Sequence, residues 1–158
     1  MKTILCLMFF SLCPLPALAD LTQAQNLMQA GRFEETMEEL LPAARSGNAE
    51  AAQMIGVLYD LGLGVDQDYA RAFDWYLRAA MQGHPSAAAA VAYYFETGRG
   101  LPAPDPMRAY VWYTLAAIGG DADAALSQGE LLDKLSDVET SQADILIGDY
   151  KTWLFPFE

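Results

Sequence analysis

The sequence predicts an all-α, superhelical solenoid of about four helix-turn-helix repeats, and three observations lead to it. A segment recurs at a fixed spacing, its apolar residues fall at helical intervals, and its glycines and cap residues return to the same slots. The run GVDQDYARAFDWYLRAAMQG (64–83) reappears as GLPAPDPMRAYVWYTLAAIGG (100–120). Trp75, Tyr76, Ala79, Ala80 and Gly83 return 37 residues later as Trp112, Tyr113, Ala116, Ala117 and Gly120. Gly62 and Gly64 return 36 later as Gly98 and Gly100, so the extra residue falls in a Pro-rich loop where an insertion costs little.

Upstream, Ala43, Ala44, Gly47 and Phe33 mark a degenerate first unit, 20–48. Two good units follow, 49–84 and 85–121. Downstream, Ala125 continues the series from Ala88, but the Gly-x-Gly dissolves into Asp133 to Leu135, as expected of a C-terminal cap over 122–158.

Each unit predicts two helices. Ala52, Ile55, Gly56 and Tyr59 form the stripe of a first helix, and Ala72, Trp75, Tyr76, Ala79 and Ala80 that of a second. The small residues allow close approach and the Trp-Tyr pair fills the space between units, so core packing is expected of Trp75, Tyr76, Trp112 and Tyr113. Asn48, His84 and Asp121 share an N-cap slot, and Asp105 with Pro106 repeats that pattern before a second helix. Gly62 and Gly98 suit a left-handed helix end, and the second glycine of each pair a turn back. Ser136 and Glu139 read as a capping box opening a last helix that runs to about Leu154.

These residues resemble the Sel-one-like repeat family, a relative of the tetratricopeptide repeat, with the pattern A-x-x-x-L-G-x-x-Y-x-x-G-x-G-V-x-x-D-x-x-x-A-x-x-W-Y-x-x-A-A-x-x-G. The copy from Ala52 to Gly83 carries nearly all of it, and the likeness extends over about 120 residues. The resemblance implies a right-handed solenoid whose concave side is lined by the first helices. It also implies a role as a scaffold in protein complexes.

Residues 1–19 read as a secretory signal peptide: Lys2, an apolar run from Ile4 to Leu12, and Ala17-Leu18-Ala19 before Asp20. Both cysteines, Cys6 and Cys13, lie in that segment. Cleavage would leave a thiol-free exported chain suited to a bacterial periplasm, with no transmembrane segment. It would carry 8 basic and 21 acidic residues, since Lys2 is the one charge removed from a net −12. A formal charge of −13 argues against nucleic acid and anionic lipid as partners.

Candidate chemistry is thin. His84 is the only histidine, so neither a catalytic triad nor a multi-histidine metal site can be assembled around a second one. Ser46, Ser86, Ser127 and Ser141 stand in no nucleophile motif, and the Gly-x-Gly pairs lack the strand and lysine of a phosphate loop. No catalytic residue, cofactor or metal is expected. The tail, Trp153 to Glu158, is expected to close over the last unit as a lid, with a docking peptide as the other reading.

The expected function is therefore a periplasmic or secreted protein-interaction module, an adaptor or scaffold holding a peptide or protein partner. A hydrolase of cell-wall or β-lactam compounds built on the same repeats is the alternative, as is suspected of some relatives, though no residue supplies its nucleophile. A structural role in an envelope assembly is a third reading. The candidate binding residues are those of the first helix outside its stacking stripe. Gln53, Val57 and Asp60 map onto Ala89, Tyr93 and Glu96, then onto Leu126, Glu130 and Asp133. The last position of each set is acidic and sits near a helix C-terminus, where the macrodipole disfavours negative charge. It reads either as ordinary solvated surface or as a ladder receiving Lys or Arg from a basic partner.

Overall fold

The computed structural model describes residues 21–154. These form eight helices and no strand: α1 (Thr22–Gln29), α2 (Phe33–Arg45), α3 (Ala49–Leu61), α4 (Tyr69–Ala80), α5 (Pro85–Thr97), α6 (Pro106–Ile118), α7 (Ala122–Leu132) and α8 (Asp137–Leu154). From α1 to α7 each helix packs on the next in sequence, which is the solenoid that the repeat pattern predicts. Residues 1–19, expected to form a signal peptide, lie outside the described part.

The helix starts follow the cap chemistry. Asn48, His84 and Asp121 accept the backbone N–H three residues on, from Ala51 at 2.8 Å, Ala87 at 3.3 Å and Ala124 at 3.0 Å. Asp68 and Asp105 do the same for Arg71 and Arg108. Glu139 reaches back to the Ser136 N–H at 2.9 Å, closing the capping box of α8. Burial holds the His84 imidazole below its usual range against the opposing pull of Glu50. Only the neutral ring can accept from Ala87, and the folded pKa lies below the unfolded one. Stability from this cap is therefore complete above about pH 6.5 and falls as the pH drops from there toward the folded value. His84→Asn keeps an acceptor. It should shift stability by under about 0.5 kcal/mol at pH 7.5 and remove that acid sensitivity, as read from thermal midpoints between pH 5 and 7.5.

Gly62 and Gly98 end α3 and α5 with φ of 68° and 70°, as expected. The second glycines do more than turn the loop. At Gly64 (φ +68°) an added Cβ would stand 2.7 Å from the backbone of Phe33 and Glu34, the start of α2. At Gly100 (φ +67°) it would stand 2.8 Å from Tyr69, the start of α4. Phe33 and Tyr69 are equivalent positions, so each loop rests on the second helix of the preceding unit, with only a hydrogen atom between them.

Within a unit, α4 lies on α3 through Tyr76, whose ring carbons would be 2.6 Å from a Cβ on Gly56. Tyr76, Tyr113 and Trp112 are buried, as the stripe predicts. Trp75 is not. It is half-buried, with the Arg78 guanidinium 4.8 Å from its ring centre.

The reason for that difference is α8. Instead of folding back along α7, it packs against α6, where Tyr150 meets Trp112 at 5.2 Å between ring centres. Val111 and Trp112, which line a cavity together with Leu146 and Tyr150 of α8, are buried, as is Leu115 one turn on. Their equivalents in α4 are Asp74, Trp75 and Arg78, facing solvent in whole or part. Helix α6 is thus apolar nearly all round because it is covered nearly all round.

Candidate partner-binding face

The nine positions of the first-helix face belong to α3, α5 and α7 and run from covered to open along the chain. Gln53, Val57 and Asp60 are half-buried; so are Ala89 and Glu96, while Tyr93 is 45% exposed. On α7 and its C-cap, Leu126 is 71% exposed, and Glu130 and Asp133 are exposed.

The three acidic positions, alike in sequence, differ in chemistry. Asp60 accepts a hydrogen bond from the Tyr94 hydroxyl at 2.5 Å and faces the Arg99 guanidinium at 3.5 Å. Arg99 in turn donates to the Tyr69 hydroxyl at 2.9 Å and lies 4.1 Å from that ring's centre. Glu96 accepts from the Tyr113 hydroxyl at 3.0 Å. Burial, with the neighbouring carboxylate, pushes both phenols well above their usual range, so they stay neutral and donate at every physiological pH. Asp133 accepts from no phenol among the described residues.

A buried tyrosine needs an acceptor, and the helix C-terminus is where Asp60 and Glu96 can supply one. This explains acidic residues at a position that the macrodipole disfavours. The sequence holds the clue in Tyr113, which the stripe places in the core with no partner for its hydroxyl, and in Tyr94, which the stripe does not include. Tyr94→Phe, which leaves Asp60 with Arg99 alone, should cost about 1–2 kcal/mol of stability in urea unfolding, with m unchanged. Asp60→Lys is worse than a charge reversal, because it sets an ammonium against Arg99.

Among the described residues no group of three or more His, Cys, Asp or Glu is placed to hold a metal ion. No described helix is long and apolar enough to cross a membrane. Trp153 is 59% exposed and Leu154 packs on the core; the rest of the aromatic tail lies outside the described residues.

This is a solenoid of stacked helix hairpins with its side chains arranged for packing and surface contact. The chain carries two Sel1 repeats: the Sel1 repeat family model matches residues 49–84 and 85–121. A Sel1 repeat protein from Oxalobacter formigenes superposes with a TM-score of 0.66 at 34% identity, over 69% of this chain and 44% of that one. A protective antigen of uropathogenic Escherichia coli strains displaying an SLR fold superposes with a TM-score of 0.79 at 22% identity, over 84% and 29%. In sequence, the chain is 38% identical over 60 residues to the ERAD-associated E3 ubiquitin-protein ligase components HRD3A and HRD3B of Arabidopsis thaliana. That match covers 38% of this chain and only 9% and 10% of the plant proteins. Sel1-repeat proteins are interaction modules that bind protein partners.

Proposed function

We propose that the chain is an exported, periplasmic adaptor that holds a basic peptide or protein segment along its first-helix side, the side that the family resemblance makes concave. The observation that carries this reading is Tyr93: a 45% exposed aromatic at the centre of that side, where the repeat neither buries it nor needs it. Val57 and Ala89 continue an apolar track beside it, and the free carboxylates Glu130 and Asp133 follow at its open end. An exposed aromatic with apolar neighbours and an acidic rim is the usual composition of an energetically dominant contact. Asp60 and Glu96 serve the track by holding Tyr94 and Tyr113 in place. Residues 1–19 support the exported setting.

The test is capture of partners from a periplasmic extract by the wild-type chain and by Tyr93→Lys and Glu130→Lys together. Both sites are exposed and neither touches the Asp60 cluster, so the fold should stay intact by circular dichroism. Loss of at least about ten-fold in captured partner at low salt is expected. Equal capture would remove the first-helix side from consideration.

A further inference from the structure

Among the described residues, helix α7 lacks what the first helices α3 and α5 have, a second helix lying along it. In the earlier units the positions facing that helix are Ala52 and Gly56 on α3 and Ala88 and Ala92 on α5, all buried. The equivalent α7 positions are Ala125 and Gly129, with Leu132 following at the place of Tyr59 and Phe95, and all three are exposed. The opposite side of the same helix, facing α6, is closed: Ala124 and Leu131 are each 2% exposed. At Gly56 an added Cβ would run into the Tyr76 ring, whereas at Gly129 it would meet nothing within 4 Å. The helix that could have covered this side, α8, is on α6.

The bare side is apolar at its centre and acidic at its margins. Leu126 is 71% and Leu132 40% exposed, while Asp123, Glu130 and Asp133 are at the surface and α7 holds no Lys or Arg. A second copy of so acidic a chain would bring like charges together, so its own surface is a poor cover. The cover that fits has the shape of the missing helix and the opposite charge.

We propose that the open side of α7 docks a basic amphipathic helix of a protein partner, which lies along α7 as α4 lies along α3 and seats an aromatic ring on Gly129. The contact is a helix laid on a groove-like face through anchors at i, i+3, i+4 and i+7. Its seat, Ala125, Gly129 and Leu132, lies outside the first-helix site, although the two share Leu126, Glu130 and Asp133 along one margin, and the partner geometry differs.

Helix α4 supplies the probe, because its residues already solve this packing problem on α3. A synthetic labelled peptide of residues 68–82 with Asp74→Lys carries Arg71, Arg78 and the Tyr76 ring. Titrated into the purified protein at low salt, it should bind saturably, with anisotropy giving a Kd below about 100 μM. Gly129→Leu fills the seat in open space and improves helix propensity, so the protein should be at least as stable yet bind at least about ten-fold more weakly. Tyr76→Ala in the peptide should weaken binding as much, and Gly148→Leu, at an open glycine of α8, should change nothing. Hydrogen exchange should slow in α7 on binding and leave α8 unaltered. The proposal is overturned by an absence of saturable binding up to about 1 mM, by equal affinity of Gly129→Leu, or by protection that falls on α3 and α5 or exposure of α8. Tyr93→Lys should leave this peptide's affinity unchanged and Gly129→Leu should leave capture on the first-helix side unchanged, so failure of either site is seen separately.

Discussion

Trp112→Ala should lower the stability of the chain by about 3–5 kcal/mol, and Trp75→Ala by no more than about 1–2 kcal/mol, although the two residues occupy the same place in consecutive repeats. Trp112 is 4% exposed, held between α6, its neighbours and Tyr150 of α8, so truncation leaves a cavity that packed helices on several sides cannot close. Trp75 has Arg78 over its face and solvent beyond. Its loss sacrifices part of its apolar burial and one cation–π contact, and water fills the space. Urea unfolding of the two variants side by side measures the difference. Equal midpoints would mean that α8 does not cover Trp112 in solution.

Gly100→Val carries a comparable penalty of about 3 kcal/mol or more by a different route. Its φ of +67° is a conformation that a β-branched residue adopts only with strain, and the first carbon of the new side chain would stand 2.8 Å from the Tyr69 carbonyl carbon. Relief requires the loop after α5 to lift off the start of α4, which parts two repeats. Gly120→Val is the informative control. Its φ of +99° carries similar backbone strain, but an added Cβ there meets nothing within 4 Å. Thermal midpoints of the two variants separate the cost of the backbone conformation from that of the inter-repeat contact; a Gly100 variant no worse than the Gly120 variant would show that the contact contributes nothing.

Most of the fold was legible because a repeat states each rule more than once. Asn48, His84 and Asp121 look unrelated as residue types, yet their shared slot and shared acceptor function identify three helix starts. The route of α8 was not read, although its trace is present: Asp74 and Arg78 become Val111 and Leu115 one repeat later, which turns a wet face apolar. Alignment by likeness draws attention to what recurs, and the information here lay in what changed. The same holds for the acidic positions. Charge pattern groups Asp60, Glu96 and Asp133 together, but only the placement of two tyrosine hydroxyls from other helices shows that the first two are occupied and the third free. A contact between residues 34 apart has no local signature.

The crossing of α8 onto α6 also decides where this chain comes apart. A linear stack frays from both ends, since each terminal unit has one neighbour instead of two. Here the last helix is anchored one step back in the row, so α6 cannot be released until α8 has left it. At the other end α1 is eight residues long, with no side-chain cap, and rests on α2, with a Gln25–Glu50 hydrogen bond reaching α3. Release of α6 thus requires two partings, from α8 as well as from its neighbours in the row, whereas α1 has no helix folded back over it among the described residues. Hydrogen exchange is expected to show the difference, with the amides of α1 exchanging faster than those of α6.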